Sequence, residues 1–555
     1  MASPGSSPPP SGPPAGKAKV VILGGGFGGV YTAIYLERLI AKGAPLEVAL
    51  VNRENYMVFQ PMLGEVIAGD VGITDTVSPL RQLLKRTEVW VKEIEGIDLE
   101  QKTVTLGAGF SPRKHTLEYD HLVLALGSTT GAKAGKGLAE HALPFKTLAD
   151  AVAIRNHAIG VLEQGSVLKD ETQRKAMLTF VVAGGGFSGT EAAASLNGFL
   201  RGAVGQGGDY RTIAEHEVRV VLVHSGKRVL ERELTYGLAD YATKTLREQG
   251  VELLLGERLV AASPHGATLG SGLKVETKTL ISTVPSAPNP LLERLSGLDR
   301  SGWRIRCDET LKAGGGDGVW ALGDCAEVPM ANGQASPPTA QHAIRQAKVL
   351  AANIAAAQQG GRPRKFTFTG LGKLGALGHR RAVAELPGKI TVEGPLAWAM
   401  WRGIYWSKLP GASRKAKVAA SWLADLALPA HPVQLNLGET RGPRQAHYEP
   451  NETVFAEGDA GESLYMILAG KVEVRKLTAG EDSKIGELGP GEYFGEMALL
   501  GEGSRSASAV AASPLDVLVL PRSDFAALTD GMAELRSSFE GIARTRAEAD
   551  AAREN

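Results

Sequence analysis

Residues 20–36 read VVILGGGFGGVYTAIYL, and this stretch decides the fold of the first half of the chain. Its apolar start predicts a short buried strand, and Gly24, Gly26 and Gly29 then give G-x-G-x-x-G ahead of apolar residues at helical spacing. In such a strand–turn–helix unit the glycines allow a tight turn, the approach of a pyrophosphate, and close packing of helix on strand. The stretch predicts a dinucleotide-binding fold, with a glycine-rich turn in an unrelated α/β protein as the alternative.

A second copy of the pattern favours the dinucleotide interpretation. Residues 178–196 read LTFVVAGGGFSGTEAAASL, with Gly184, Gly186 and Gly189 again in register after an apolar strand and before a helix. Two such units in one chain form an internal repeat. The repeat indicates two nucleotides that face each other, one a tightly held flavin and the other a nicotinamide that binds and leaves.

The composition is that of an ordinary soluble protein with several domains. The chain has 555 residues, 43% hydrophobic and 22% charged, and a net charge of +1, which gives no indication of a nucleic-acid surface. No apolar run is long enough for a transmembrane helix. Its two cysteines, Cys307 and Cys325, are too few for a disulfide framework and do not form the C-x-x-C of a dithiol relay. Residues 1–17, rich in Pro, Gly and Ser, are expected to be a disordered leader.

The ends of two predicted strands carry side chains that could select a nucleotide. The second strand of the first repeat ends at Asn52 and Arg53, where dinucleotide folds usually have an acid for the ribose, and Asn52 can still form hydrogen bonds there. The corresponding strand of the second repeat ends at His224, Ser225 and Lys227. A hydroxyl and cations without a carboxylate suit a 2′-phosphate better than a bare ribose diol. Solvated loop charges are the alternative.

Other strands complete the first repeat. Residues 119–127 form a buried strand that ends at Gly127, and residues 319–324 form another that ends at Asp324, where open α/β sheets bind ligands. Val89–Val91 and Thr103–Leu106 are expected to be strands of a small antiparallel addition.

The order of these motifs resembles the type II NADH dehydrogenases, the non-pumping NADH:quinone oxidoreductases, over residues 18–430. The motifs are the two glycine patterns, Ala-Leu-Gly at Gly127, Glu191 in the second pattern, Leu-Gly-Asp at Asp324, and Thr-Ala-Gln-His-Ala at 339–343. The resemblance implies FAD on the first domain, with Asp324 on the ribityl chain. It also implies that Ala340 and Gln341 lie at the flavin edge facing the quinone, and that Glu191 orients substrates or relays protons.

The glycine patterns and the resemblance together assign the candidate site residues. The predicted catalytic residues are Glu191 and Gln341. The predicted FAD-binding residues are Gly24, Gly26, Phe27, Gly28, Gly29, Asn52, Arg53, Gly127, Asp324 and Ala340. The predicted NAD(P)H-binding residues are Gly184, Gly186, Phe187, Gly189, Glu191, His224, Ser225 and Lys227. The predicted quinone contacts are Gln341 and Arg345, and no metal site is predicted.

Three positions depart from the pattern of the family. Asn52 stands where the family usually has an acid, and His224 stands where it usually has Glu, so the choice between NADH and NADPH stays open. Arg345 replaces the last glutamine of the pattern Ala-Gln-x-Ala-x-Gln in the quinone pocket. A soluble, non-quinone acceptor is therefore the alternative to quinone.

Residues 395–429 combine aromatic and basic side chains. Four of the seven tryptophans lie here, at 398, 401, 406 and 422, together with several Arg and Lys residues. Such a segment suits a bilayer interface, and the family resemblance implies a membrane-lying segment at this place. The alternative is a pair of packing helices with buried tryptophans.

The last part of the chain changes to short strands separated by glycine turns, which predicts an all-β barrel or jelly roll. Residues 493–509 resemble the phosphate-binding cassette of cyclic-nucleotide-binding domains. The resemblance implies Glu496 on the ribose 2′-hydroxyl, Arg505 on the cyclic phosphate, and backbone contacts from Gly495 and Ala507. Ser506 leaves the base undecided, with cyclic AMP favoured over cyclic GMP. A single amphipathic helix over 525–542 is expected to cover the base, and a barrel that has lost its ligand is the alternative.

The expected fold is α/β, with two Rossmann-like dinucleotide-binding domains and a C-terminal all-β jelly-roll domain with flanking helices. The expected divisions are a leader (1–17), an FAD-binding domain (18–147 and 291–358), an NAD(P)H-binding domain (148–290), an interface and membrane-associating segment (359–430), a linker (431–448) and a cyclic-nucleotide-binding domain (449–555).

We expect an FAD-dependent enzyme that takes hydride from NADH or NADPH and passes electrons to quinone. It is expected to be cytoplasmic, peripheral on the cytoplasmic membrane and regulated by a cyclic nucleotide, with no nucleic-acid partner and with a homodimer left open. A catalytically idle cyclic-nucleotide or redox sensor is the alternative from another functional class.

Overall fold

The computed structural model describes residues 16–107, 114–130, 135–263, 265–283, 286–425, 432–435, 444–448, 450–478, 481–500 and 504–554. The chain divides into two compact units, one of residues up to 104 with 118–435, the other of 105–117 with residues from 436 onward. Most of the expected leader lies outside the described residues.

The first glycine motif begins a five-stranded parallel sheet, which we call the first dinucleotide domain. Its strands, in sheet order, are Val319–Ala321, His121–Leu124, Ala18–Leu23, Leu46–Asn52 and Glu88–Val91. The central strand is almost wholly buried: helix Phe27–Ile40 contacts it, and helix Ala340–Gln358 packs against that helix. The expectation for Val89–Val91 was wrong, because these residues form the parallel edge of the main sheet instead of an antiparallel addition.

The second glycine motif begins an equivalent sheet, the second dinucleotide domain. Its strands, in sheet order, are Leu143–Pro144, Thr279–Ser282, Thr179–Ala183, Arg219–His224 and Val251–Leu255, all parallel. Its longer helices are Leu148–Val167, Phe187–Ala203 and Tyr236–Glu248. The edge strand at 143–144 precedes the expected boundary at residue 148, because the chain joins this sheet before helix Leu148–Val167 begins.

Shorter elements complete the first 370 residues. The remaining strands are Tyr56–Val58, Val77–Pro79, Ile94–Asp98, Thr103–Leu106, His115–Glu118, Thr129–Thr130, Leu259–Ser263, Gly266–Leu269, Lys274–Glu276, Ser286–Ala287, Arg300–Ser301, Arg304–Arg306 and Ala326–Glu327. The remaining α-helices are Leu63–Ala68, Leu80–Leu83, Leu138–His141, Glu171–Met177 and Pro290–Arg294.

The segment that follows, which we call the C-terminal segment, is a three-stranded antiparallel sheet followed by two helices. The strands are Lys373–Ala376, Ala382–Leu386 and Ile390–Glu393, and the helices are Gly394–Lys408 and Ala412–Asp425.

The second unit contains a barrel of two four-stranded antiparallel sheets. One consists of Arg444–Tyr448, Leu515–Pro521, Ser463–Ala469 and Tyr493–Phe494, and the other of Thr453–Phe455, Ser508–Ala511, Val472–Thr478 and Glu481–Leu488. Its first strand lies inside the expected linker (431–448), because it pairs with Leu515–Pro521. The helices are Met497–Leu500, Arg522–Gly531 and Ala533–Glu554. The single helix expected over 525–542 is therefore two helices, interrupted at Met532.

Candidate functional site

The first glycine turn has room for a ligand on one side only. Gly24 has a φ of +109°, and a Cβ there would lie 2.3 Å from the carbonyl oxygen of Ala125. A Cβ at Gly29 would lie 1.9 Å from the Gly24 oxygen, so helix and strand pack with no space for a side chain. By contrast, a Cβ at Gly26 would meet no atom within 4 Å. The open face at Gly26, at the start of helix Phe27–Ile40, fits a pyrophosphate.

Asn52 faces this turn, but Arg53 does not. The Asn52 Oδ1 accepts a 2.8 Å hydrogen bond from the amide of Gly25, and its Nδ2 donates to the carbonyl of Glu54 at 2.7 Å. Arg53 is exposed and pairs with Glu93 at 2.5 Å. The structure therefore brings Asn52 to the first glycine turn and leaves Arg53 in a surface ion pair.

Asp324 lies in a polar cluster at the carboxyl ends of the strands. The Ser128 hydroxyl donates to its Oδ2 at 3.0 Å, and the Lys146 Nζ lies 2.5 Å from the Ser128 Oγ and 3.7 Å from the same carboxylate oxygen. Gly127, with a φ of +64°, directly precedes Ser128. Lys146 adds a cation to this cluster that sequence reasoning missed.

Glu191 is surrounded by residues from distant parts of the chain. Its Oε1 accepts a 3.1 Å hydrogen bond from the amide of Ala376. Burial raises the pKa of Glu191 to about 8, and the hydrogen bond from the Ala376 amide offsets only part of this effect. The raised pKa favours the protonated form of this acid at neutral pH.

Aromatic rings connect the first glycine turn with the surroundings of Glu191. Phe27 contacts Phe59 with a centroid distance of 5.7 Å, Phe59 contacts Tyr405 at 6.0 Å, and Tyr405 contacts Trp401 at 4.8 Å. Burial, and then the negative charge of Glu191, raise the pKa of Tyr405. These contacts fix the position of the C-terminal segment relative to the first dinucleotide domain.

The start of helix Ala340–Gln358 is tied to the same segment. Gln341 Nε2 donates to the carbonyl of Gly372 at 3.0 Å, and its Oε1 accepts from the amide of Leu371 at 2.9 Å. The guanidinium carbon of Arg345 lies 5.3 Å from the ring centroid of Phe368, within cation–π range. Ala340 is the first residue of this helix.

The second glycine turn repeats the geometry of the first. Gly184 has a φ of +116°, and a Cβ at Gly189 would lie 1.9 Å from the Gly184 oxygen. The nearest atom to a Cβ at Gly186 would be a carboxylate oxygen of Glu233, at 3.1 Å. The next residue, Phe187, packs against Gly375 of the C-terminal segment.

His224 also contacts this turn. Its Nδ1 accepts a 3.2 Å hydrogen bond from the amide of Gly185, and burial lowers its pKa. Ser225 is half-buried and Lys227 is exposed.

In the barrel, Arg505 and Glu496 line one cavity of about 240 Å³. Arg505 is 4% exposed, donates to the carbonyls of Gly495 and Ser463 at 2.7 and 2.9 Å, and lies 4.1 Å from the Phe455 ring centroid. Its Nε is buried with no hydrogen-bond partner among the described residues. Glu496, 1% exposed, accepts a 2.7 Å bond from Arg546. Ser506 and Ala507 line the cavity too.

Comparison with known proteins accounts for most of the chain. Residues 18–347 match the family described as pyridine nucleotide-disulphide oxidoreductase, residues 371–426 the NDH2 C-terminal domain, and residues 445–531 the cyclic nucleotide-binding domain. The alternative NAD(P)H-ubiquinone oxidoreductase C1 of Arabidopsis thaliana is 31% identical, with coverage of 74% of this chain and 82% of that protein. The chain belongs to the type II NADH dehydrogenase family.

Other relatives agree with this assignment. The type II NADH:quinone oxidoreductase NdhA of Mycobacterium tuberculosis is 28% identical, with coverage of 73% of this chain and 87% of that protein. NDH2 of Plasmodium falciparum, solved in complex with NADH, has the same fold, with a TM-score of 0.68 at 18% identity over 75% of this chain and 100% of that one. The chain is thus an FAD-dependent NAD(P)H dehydrogenase with a C-terminal domain of the cyclic-nucleotide-binding fold, as the sequence predicted.

The two cysteines take no part in the site. Both Cys307 and Cys325 are buried, and burial raises the pKa of Cys325 to about 11 and that of Cys307 further. A thiol that is protonated and buried is a poor nucleophile. Neither cysteine is therefore suited to act as a redox nucleophile.

Several aromatic side chains that we expected at a bilayer interface are buried within the region that matches the NDH2 C-terminal domain. Trp401 and Trp422 are 2% and 8% exposed. Arg402 lies between the rings of Trp398 and Trp422, at 4.3 and 4.8 Å, and pairs with Glu65 at 3.6 Å. The Trp422 indole donates to the same Glu65 at 3.0 Å. The packing alternative is correct for these side chains, because the Arg402 charge and the indoles complete a buried cluster.

None of the helices in the described part of the chain is long and apolar enough to cross a membrane.

Proposed function

We propose that this type II NADH dehydrogenase passes electrons from NADH or NADPH to a membrane quinone, and that a cyclic nucleotide bound in its barrel regulates the reaction. The observation that carries the first part is the contact of Glu191, whose pKa burial raises, with the Ala376 amide of the C-terminal segment. The flavin, when bound, accepts a hydride and releases two electrons. Reduction of a quinone to a quinol also consumes two protons, and an acid with a pKa of about 8 holds one at neutral pH.

The contacts of helix Ala340–Gln358 support the acceptor side of this proposal. Gln341 is held at both ends of its amide by residues 371 and 372, so the helix start and the C-terminal segment form one wall. Arg345 lies one turn later against Phe368. An arginine, like a glutamine amide, donates hydrogen bonds to a carbonyl oxygen. Arg345 can therefore supply a quinone oxygen with the same kind of hydrogen bond as the glutamine that the family usually has at this position.

An anaerobic reduction experiment tests the acceptor. NADH or NADPH should bleach the flavin of the purified protein, and a short-chain ubiquinone should restore the colour faster than ferricyanide does. Arg345→Gln should keep the quinone rate, whereas Arg345→Leu should lower it. Recovery with ferricyanide alone would favour the soluble-acceptor alternative, and a flavin that neither nicotinamide bleaches would contradict the proposal.

Attachment to a membrane surface through residues 395–429 is supported by the side chains that packing leaves outside. Leu396, Trp406 and Leu423 are 65%, 39% and 68% exposed, and Lys408 and Lys417 are exposed as well. Exposed apolar groups beside lysines suit the surface of an anionic bilayer.

Vesicle sedimentation tests this attachment. The protein should bind vesicles that contain phosphatidylglycerol, and salt should weaken the binding because lysine–lipid attraction is screened. The double variant Leu396→Ser, Trp406→Ser should bind less, while Leu273→Ser, at a residue 49% exposed outside this segment, should bind as the unaltered protein does. Equal sedimentation of all three proteins would reject this part of the proposal.

Cyclic nucleotide binding is supported by the buried charge of Arg505. A guanidinium removed from water whose Nε has no partner among the described residues is suited to an anion, and burial already lowers its pKa. Glu496 lines the same cavity. Arg505 is therefore assigned to the cyclic phosphate, Glu496 to the ribose, and Ser506 to a preference for cyclic AMP over cyclic GMP.

Calorimetric titration of the full chain tests this assignment. Cyclic AMP should bind, and Arg505→Ala should lose on the order of 100-fold in affinity because a desolvated charge contact is removed. Arg536→Ala is the matched control, since that side chain is half exposed and pairs with Asp530 and Glu540 on the surface. The absence of heat with either cyclic nucleotide would indicate a barrel that has lost its ligand.

Regulation requires a second measurement. A bound cyclic nucleotide changes the enzyme only if it binds two states of the chain unequally, and reciprocity then requires the reduced enzyme to bind it with a different affinity. We expect cyclic AMP to alter the rate of NAD(P)H oxidation. We also expect anaerobic reduction of the flavin to change the affinity of the protein for cyclic AMP, measured as a shift of the midpoint in the cyclic AMP titration. Tight binding with unchanged kinetics and an unchanged midpoint would leave a domain that binds without regulating.

A further inference from the structure

The loop that follows strand Arg219–His224 is contacted by an acidic side chain, Glu231, from seven positions after the end of the strand. The strand ends without a carboxylate, but the side chain of Glu231 folds back onto the loop. Its Oε2 accepts hydrogen bonds from the amides of Lys227 at 2.9 Å and Arg228 at 3.2 Å. Adjacent backbone amides that point at one anion form the kind of nest that binds phosphate groups. In this chain the nest is filled by a carboxylate.

The other carboxylate oxygen of Glu231 and the ring of His224 both lie close to Gly226. A Cβ at the buried Gly226 would be 2.1 Å from Oε1 of Glu231 and 2.7 Å from Nε2 of His224, so glycine is needed here to leave room for both side chains. Because the Nδ1 of His224 accepts from the Gly185 amide, the proton of the neutral ring is on Nε2. Glu231 is thus close enough to His224 for its charge to act on a ring that contacts the second glycine turn.

The neighbouring cations do not cancel this charge. Arg228 is engaged by Asp240 at 3.1 Å and lies 3.9 Å over the ring of Tyr236. Lys227 is exposed, and its backbone amide, not its side chain, contacts Glu231. Neither cation of this loop is therefore placed to bind a 2′-phosphate. Arg228 interacts with other side chains, and the Lys227 side chain is in solvent.

We propose that Glu231 is the specificity-determining residue that makes this enzyme prefer NADH to NADPH. Its carboxylate occupies the amides that a 2′-phosphate would need and repels the charge of that phosphate. The ribose diol of NADH carries no charge, and one of its hydroxyl groups can donate a hydrogen bond to the acid. The inference rests on the binding of NAD(P)H to the second dinucleotide domain, which is a property of the family.

Two substitutions of Glu231 distinguish the effect of its negative charge from the effect of its occupying the two amides. Glu231→Gln keeps an oxygen for the two amides and removes the charge, whereas Glu231→Ala empties the nest. In kcat/KM the unaltered enzyme should prefer NADH by on the order of 100-fold, since like charges placed together are strongly disfavoured. Glu231→Gln should reduce this preference about tenfold and Glu231→Ala further, through a gain with NADPH.

Glu233→Gln is the matched control. Its carboxylate faces Gly186, where both dinucleotides would place the same pyrophosphate. Removal of that charge should change kcat/KM for NADH and NADPH by the same factor and leave the ratio as it is. A shift of the ratio in this variant as large as that in Glu231→Gln would overturn the assignment of specificity to Glu231.

Competition by adenosine 5′-phosphate and adenosine 2′,5′-bisphosphate gives a readout that does not depend on turnover of a variant. The unaltered protein should bind the monophosphate more tightly, and Glu231→Gln should gain affinity for the bisphosphate. Equal affinity in the unaltered protein, or comparable use of NADPH and NADH, would overturn the inference. A protein that binds neither probe and oxidises neither nicotinamide would instead contradict the proposed function.

Discussion

The pKa of Glu191 predicts a pH dependence that one substitution should remove. Burial raises this pKa from 4.5 to about 8. The protonated form then predominates at pH 7 and the ionised form at pH 9. The rate of quinone reduction should fall above pH 8 in the unaltered enzyme. Glu191→Gln should be slower by on the order of 100-fold, because it supplies no proton, and should have no inflection near pH 8.

The same shift changes stability with a defined sign. The unfolded chain releases this proton near pH 4.5, while the folded chain keeps it to about pH 8. The folded state therefore binds more protons between these values, and the free energy of unfolding falls as pH rises through this window. At about 1.4 kcal/mol per unit the full loss is about 5 kcal/mol. Glu191→Gln avoids it, so at pH 9 the variant should be the more stable protein, whereas at pH 4 the two should be alike.

Melting temperatures of the two proteins between pH 4 and pH 9 measure this effect together with the rate profile. The exposed Glu276 provides a matched control, and Glu276→Gln should follow the unaltered protein at every pH. The reasoning is refuted if the stability difference between the Glu191→Gln and unaltered proteins is constant across this range. It is also refuted if the variant keeps a kinetic inflection near pH 8.

The glycine turn and two ion pairs with buried carboxylates give three further predictions. Gly26→Val should purify without flavin yet fold, because its Cβ meets no chain atom within 4 Å while its side chain blocks the pyrophosphate; a yellow variant with normal flavin content would reject this site. Arg402→Leu should lower the free energy of unfolding by about 3–5 kcal/mol in urea titration, since Glu65 keeps a buried charge without its arginine; an unchanged value would contradict this. Arg546→Leu should lower the melting temperature more than the surface change Arg536→Leu does, because Glu496 is then a buried charge without its partner; equal losses would contradict the pairing.

The parts of the fold that could be predicted are those formed by residues close together in the sequence. Each glycine turn uses residues within six positions of one another, and the helix after it packs on the strand before it. The spacing of glycine and apolar residues around Gly24 and Gly184 was therefore sufficient to predict both strand–turn–helix units. Glu496 and Arg505 were found in the same way, because the barrel brings one short cassette to a single cavity.

The residues that sequence reasoning missed reach the site through folding. Glu231 lies seven positions after the strand end, and only the turn at Gly226 brings its carboxylate back to the loop. Arg546 comes from the last helix, 50 positions after Glu496. Lys146 approaches Asp324 from a loop before helix Leu148–Val167. A charge near the expected ligand but outside the motif was the available signal for Glu231, whereas the other two had none.

Composition also could not decide between the two interpretations of the tryptophan-rich segment. Trp401 and Trp406 are five positions apart on one helix, and one is 2% and the other 39% exposed. The difference depends on what each face of the helix meets. Trp401 meets Tyr405 and the surroundings of Glu191, while the Trp406 indole donates to the carbonyl of Lys415 on the next helix. Membrane attachment therefore has to depend on the outer face alone.

The chemistry of Glu191 is consequently a property of the C-terminal segment as much as of the glycine motif that contains it. The acid belongs to helix Phe187–Ala203, but the amide that contacts it comes from Ala376 and the ring beside it from Trp401. Without that cover the carboxyl group would be hydrated, and its pKa would return towards 4.5. A motif can thus supply an acid in the correct place, but the proton at neutral pH depends on residues roughly 200 positions later that exclude water from it.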